Sequence, residues 1–259
     1  MIVDTHAHLM FKDFRGEVKE VIERAKSVGV ERIINVGCNK QTSREAVEML
    51  DRHEGLFATL GLHPYDSLEC GDDLMEEWAE LILKNKKIVA IGECGLDYFK
   101  AKVGKEDQKR AFIAQLGLAK KTGLPVIIHN READEDCFEI LEEFEKENGK
   151  VEVVFHCFGS DVEFARRCWY KGYYTSFTGV ITYPTAQKLR DVVREAPMNL
   201  FMVETDCPFL APQKYRGGRN EPVYVVEVVK EVAEIKGLRV DEVEKASTEN
   251  AEEFFLRID

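Results

Sequence analysis

Ile2-Val3-Asp4-Thr5-His6-Ala7-His8 opens the chain: a short apolar, β-branched run that ends in two histidines one residue apart. Four later stretches repeat the arrangement, setting a metal-binding type of side chain at or just past the end of an apolar run. They are Gly92-Glu93-Cys94-Gly95-Leu96-Asp97, Pro125-Val126-Ile127-Ile128-His129, Val153-Val154-Phe155-His156-Cys157-Phe158 and Val203-Glu204-Thr205-Asp206-Cys207-Pro208. Imidazole and carboxylate are the side chains that hold catalytic divalent metals. Their recurrence at strand ends predicts one shared site.

The same rhythm extends outward from these stretches. Strand-like runs fall at residues 2–6, 32–36, 56–60, 88–91, 126–128, 151–155, 173–177 and 200–203. Helix-like segments near 16–28, 41–52, 72–84, 105–122, 132–147, 161–171 and 185–195 separate them, and two more follow at 222–236 and 240–256. In the segment 105–122, Phe112, Leu116 and Ala119 recur at three- and four-residue spacing, the stripe of a helix with one buried face. Strands alternating with helices pair in parallel, and eight such units close into a ring. The expectation is a single α/β domain over residues 1–259, a (β/α)8 TIM barrel with an extra C-terminal helix. An open doubly wound sheet would not bring eight strand ends around one point. In a barrel the C-terminal face carries the active site, and every candidate ligand falls there.

Composition limits the function classes. With 44% hydrophobic and 32% charged residues, the chain has a large core and a solvated shell. A net charge of −12 argues against coating nucleic acid or an anionic membrane by bulk attraction, but it does not exclude a nucleic-acid substrate, because bound metals and a few arginines can reverse the sign inside one cleft. Seven cysteines with no C-x-x-C pair form neither a disulfide framework nor a zinc finger, so reduced thiols and a cytoplasmic location are expected. No apolar run approaches the roughly 20 residues that cross a bilayer. Neither membrane contact nor an obligate protein partner is expected.

In a strand, residues two apart share a side, so His6 and His8 can grip one ion, and Asp4 shares their parity. Numbered along the chain, His6 and His8 end the first strand; Glu93 follows the fourth, His129 the fifth, His156 the sixth and Asp206 the eighth. This order resembles the amidohydrolase superfamily. The local wording is narrower. D-T-H-A-H, G-L-H-P, G-E-C-G-L-D, H-C-F and E-T-D-C-P, with P-x-x-x-R-G-x-x-N-E-P downstream, resemble the TatD family of metal-dependent deoxyribonucleases, from Ile2 to the final helix.

The resemblance implies one ion held by His6, His8, Glu93 and Asp206 and a second by Glu93, His129 and His156, with Glu93 bridging. It implies two divalent ions per chain, magnesium or manganese for activity, while the mixed nitrogen and oxygen donors also suit bound zinc, nickel or iron. Asp206 is the candidate general base; a helix N-cap before Cys207-Pro208 is its structural alternative. With Glu93, it makes the catalytic pair. The implied reaction is hydrolysis of DNA phosphodiester bonds, as an exonuclease on single-stranded ends.

Substrate-binding candidates surround these ligands. His63, in Gly61-Leu62-His63-Pro64, is not a metal-ligand position of the family and is expected to face the cleft as a phosphate donor. Glu204 shares strand parity with Asp206 and either points into the barrel mouth or is a buried structural carboxylate. Asp97 and Tyr98 either set their loop or touch substrate. Arg131, and Tyr215, Arg216 and Arg219 in the loop after the eighth strand, combine forked cations with an aromatic ring and are expected to contact phosphates and a base. Cys94, Cys157 and Cys207, each next to a ligand, read as small buried filler. His53 reads as a solvated or helix-capping histidine. Two rival functions remain open: an ester or amide hydrolase such as an aminoacyl-tRNA deacylase, and a non-catalytic binding module with a structural metal.

Overall fold

The computed structural model describes residues 1–258, so residue 259 of the expected domain lies outside the described residues. Eight parallel strands form one sheet in chain order: β1 (Ile2–Ala7), β2 (Val30–Val36), β3 (Leu56–Leu60), β4 (Ile88–Asp97), β5 (Val126–Arg131), β6 (Val153–Phe155), β7 (Tyr174–Phe177) and β8 (Phe201–Val203). A backbone bridge between Ala7 and Cys207 joins the last edge to the first, giving the expected (β/α)8 barrel. Between the strands run α1 (Val18–Lys26), α2 (Lys40–Glu48), α3 (Asp72–Lys84), α4 (Lys105–Thr122), α5 (Asp134–Asn148), α6 (Val162–Tyr170) and α7 (Gln187–Glu195). After β8 come α8 (Val225–Lys236) and the extra helix α9 (Val240–Phe255).

Two apolar clusters hold this frame. The larger lies between strands and helices and includes Phe112 and Leu116 from the stripe on α4. The smaller fills the barrel: Val3, Ile34, Val89, Ile127, Val154 and Met202 meet Phe254 and Phe255 of α9. The extra helix therefore packs against the barrel interior, with Phe254 edge-on to Tyr174 at 5.3 Å. Strands covered on both faces read as continuous apolar runs, which is why their sequence signal was strong.

The strand that departs most from expectation is β4, which continues six residues past 91 to Asp97. Its register slips between Ile91 and Cys94, and Gly92 (φ 137°) and Gly95 (φ 133°) take conformations closed to other residues. A Cβ on Gly95 would stand 2.2 Å from the His129 carbonyl oxygen, and one on Gly92 2.6 Å from that of Ile127. Glycine thus lets β4 lie against β5 beyond its apolar run, and this extension carries Glu93 into the barrel mouth.

Candidate metal centre

Both carboxylate oxygens of Glu93 are in use, each facing a different group of imidazoles. On one side, His6 Nε2 lies 3.4 Å and His8 Nε2 3.9 Å from Glu93 Oε2. The two imidazole nitrogens are 3.2 Å apart, and Asp206 Oδ1 is 3.3 Å from His8 Nε2 and 3.8 Å from His6 Nε2. On the other side, Glu93 Oε1 is 2.7 Å from His129 Nδ1 and 2.8 Å from His156 Nε2. Burial pushes the Glu93 carboxyl up, but the charges of His156 and His63 and the bonds from His129 and His156 outweigh it and hold it well below the usual range. Asp206 is likewise lowered: burial opposes ionisation, and His8, His6 and His156 overcome it.

The donor set fits divalent ions. Metal–ligand bonds of about 2.0–2.2 Å separate neighbouring ligand atoms by about 3–3.5 Å, and Nε2 of His6 and of His8 stand 3.2–3.9 Å from each other and from the Glu93 and Asp206 oxygens. Two of the nitrogens turned away from the clusters, on His8 and His129, are held by hydrogen-bonding groups, and a third, on His156, has a carboxylate close by. His8 Nδ1 donates to the Val36 carbonyl at 2.7 Å, which leaves Nε2 a lone pair. His129 Nε2 faces Asp97 Oδ2 at 3.2 Å, and His156 Nδ1 lies 3.3 Å from Glu204. Carboxylates and carbonyls behind a histidine are the usual means of orienting a metal ligand.

Helix α4 positions two of the loops. Gln108 Oε1 accepts from Asp97 N at 2.9 Å, and Gln115 Oε1 accepts from Leu62 N at 2.7 Å beside His63. His63 Nδ1 accepts from Tyr65 N at 3.2 Å, so the proton sits on Nε2, which points at His129 Nδ1 (3.3 Å). Burial, with the charges of His129 and His156 and against that of Glu93, lowers His63 to about 4. The neutral ring stands beside Glu93 and His129, with which it forms one of the groups that could hold an ion.

These groups line a cavity of about 830 Å³. Among the described residues, four of the five non-glycine residues with positive φ stand on its wall: Glu132, Cys157, Asp206 and Leu210. Such backbone is tolerated where its surroundings impose it, and it collects at functional sites. Asp206 (φ 57°) is not a helix cap; the turn aims its carboxylate at His8.

Of the expected substrate contacts, His63 and Arg131 line the cavity, and Glu204, Tyr215, Arg216 and Arg219 do not. Glu204 is the buried carboxylate of the two alternatives, 1% exposed, accepting from Cys157 N at 2.8 Å and Ser176 Oγ at 2.5 Å. Tyr215 stacks on Tyr224 at 3.9 Å, and the exposed Arg216 lies over the Tyr183 ring at 4.5 Å. Arg219 corrects the expectation most clearly. It binds Glu17 at 2.8 and 3.1 Å, Glu221 at 2.8 Å and the Asp13 carbonyl. Beyond β8 the chain folds onto α1, where the loop's cation meets acids before any substrate does.

Asp97 does set its loop, through bonds from Phe99 N and Lys100 N, and it also orients His129. Asp4 bonds Thr205 and the His6 backbone, not an imidazole; burial raises its carboxyl to about 7 against those bonds. Cys94 and Cys207 are buried filler, whereas Cys157 reaches the cavity. Sequence reasoning missed Cys38, whose thiol is 3.6 Å from His8 Nδ1 and 3.8 Å from Glu93 Oε2. Burial raises that thiol above its ordinary value, against the pull of His8. It also missed Phe11, Phe209 and Lys100 on the cavity wall. Only a position just past a strand end marked Cys38, and the other three carry no motif.

A parallel barrel whose C-terminal mouth gathers histidines and carboxylates around a shared glutamate is the architecture of a metal-dependent hydrolase. The comparisons specify which. The profile of the family described as TatD related DNase matches residues 3–256, and the chain belongs to that family. It is 42% identical to YabD of Bacillus subtilis, described as an uncharacterized metal-dependent hydrolase, over 98% of this chain and 99% of that one. It is 32% identical to the 3'-5' ssDNA/RNA exonuclease TatD of Escherichia fergusonii, over 90% and 91% of the two chains. The crystal structure of YjjV, a TatD homologue from Escherichia coli, superposes with a TM-score of 0.91 at 30% identity, covering 98% of each chain. Among the described residues no helix is long and apolar enough to cross a membrane.

Proposed function

We propose that this TatD-family hydrolase cleaves phosphodiester bonds at single-stranded DNA ends with a binuclear divalent-metal site. The observation that carries the reading is the division of Glu93: Oε2 faces His6 and His8, Oε1 faces His129 and His156. One carboxylate between two imidazole pairs suits a bridge between two ions better than a ligand of one. Asp206 completes the His6–His8 group.

Two ions so held would polarise a phosphoryl group and make water more acidic. Asp206, held ionised by its histidines, accepts the proton of the attacking water. His63 presents a neutral Nε2–H to a phosphoryl oxygen, a contact that strengthens as charge develops there. Arg131, on the cavity wall beyond His129, takes a neighbouring phosphate. The likeness to the 3'-5' ssDNA/RNA exonuclease of Escherichia fergusonii supports a nucleic-acid substrate.

The test is a substrate panel. Metal-stripped protein is reloaded with manganese or magnesium and offered single-stranded DNA, duplex DNA, aminoacylated RNA and small carboxylic esters. Shortening of single strands from an end, faster than any ester or amide cleavage, is the expected result. Turnover of the aminoacyl ester with intact DNA would overturn the nuclease reading.

A further inference from the structure

The cavity has two unlike walls. On the His8 side, Phe11 lies flat on the His8 ring at 4.8 Å and 8°. Phe209 meets Phe11 at 6.0 Å and 70°, so the two rings make a corner, and Val180 and Leu210 continue the apolar surface. Phe209 is 51% exposed although its ring is apolar. On the His129 side stand Arg131, its guanidinium 4.3 Å over the Phe99 ring, and Lys100, whose backbone is fixed by Asp97. Neither cation has an acidic partner within ion-pair distance among the described residues, in a chain of net charge −12. In the loop after β8, by contrast, Arg219 is paired with Glu17 and Glu221.

We infer that the Phe11–Phe209 corner is a nucleobase-stacking subsite, and that Arg131 and Lys100 across the cavity hold the phosphate one nucleotide away. This rests on the nuclease reading above and names the part of the substrate that the apolar wall recognises. A flat, weakly polar ring joined to a flexible anionic backbone matches an apolar corner facing two unpaired cations. A small carboxylic ester would use neither wall. Phe11 is anchored on a proposed ligand and gives the corner its rigidity; Phe209 supplies the exposed ring. Stacking on an aromatic side chain tolerates any base, so the subsite fits an enzyme indifferent to sequence.

The experiment uses the manganese-loaded full chain and three single strands: one intact, and two lacking the base on one or the other side of the terminal phosphodiester. Removal of the base at one of the two positions is expected to lower kcat/KM by about 5- to 150-fold, the factor corresponding to the usual worth of one base–aromatic stack. In Phe209→Leu that ratio falls toward one, and in Phe209→Trp it persists. If Phe209→Leu slows intact and base-free strands alike, or leaves the ratio unchanged, the subsite is wrong while the nuclease reading stands. If no strand is hydrolysed, the nuclease reading fails and the subsite falls with it.

Discussion

Replacing Asp97 with asparagine tests how His129 is prepared for its ion. Asp97 Oδ1 accepts from Phe99 N at 2.9 Å and Lys100 N at 2.6 Å, so in the amide the oxygen must stay there. The new NH2 then occupies the place of Oδ2, 3.2 Å from His129 Nε2 and 3.2 Å from the Tyr65 hydroxyl. Two donors face each other across the His129 contact. The ring escapes by moving its proton to Nδ1, the atom aimed at Glu93, and so loses its lone pair where the ion needs it. Disturbing such a supporting carboxylate lowers metal affinity by about 10- to 100-fold, or about 1.4–2.7 kcal/mol. Both backbone donors remain satisfied, so thermal stability should hardly change. A competition titration of the metal-stripped protein against a chromophoric chelator resolves the two binding steps. One step is expected to weaken by that factor, while the step at His6, His8 and Asp206 moves less than threefold. Equal weakening of both steps, or of neither, refutes the tautomer argument.

Metal-saturated protein should contain about two divalent ions per chain by elemental analysis, and Glu93→Gln should weaken both sites, because each oxygen faces a different histidine pair. Asp206→Asn should lower turnover by about 100-fold or more with the fold intact by circular dichroism; near-wild-type rates at saturating manganese would remove Asp206 as the base. His129 and His156 are raised in the metal-free protein, burial being outweighed by bonds and charges from Asp97, Glu93 and Glu204. Both rings therefore still hold protons near neutral pH, ion binding must release them, and affinity should climb as pH rises through their raised values, read as buffer-dependent heat in calorimetry. Arg131→Ala should raise KM for single-stranded DNA and reduce the log–log salt slope by roughly 0.7. Arg219→Ala should leave both unchanged and instead lower Tm by about 2–4 °C, as expected for about 1 kcal/mol in a chain of this size.

The barrel was legible because strands buried on both faces are unbroken apolar runs, and the proposed ligands were legible because each terminates one. The extension of β4 was not, since Gly92 and Gly95 interrupt the run and only the close passage of β5 explains them. The role of Arg219 was not legible either. Glu17 lies 202 residues away in the chain and becomes its neighbour only once the barrel has closed. Glu204 and Asp206 share strand parity, yet the left-handed turn at Asp206 sends one carboxylate behind His156 and the other into the cavity. Alternation along a strand does not foresee such a turn.

The seam where β1 meets β8 is also where the proposed His6–His8–Asp206 group assembles. Asp206 N donates to the His6 carbonyl, His8 N to the Cys207 carbonyl and Thr205 N to Asp4, and each contact spans about two hundred residues of chain. A polypeptide growing from its N-terminus has displayed His6, His8, Glu93, His129 and His156 long before it contains Asp206. Until the eighth strand arrives, the proposed base is missing and the first strand is held on one side only, by β2. On the proposed mechanism, a chain that ends before the eighth strand therefore lacks both the carboxylate that completes the His6–His8 group and the closing contact between Ala7 and Cys207.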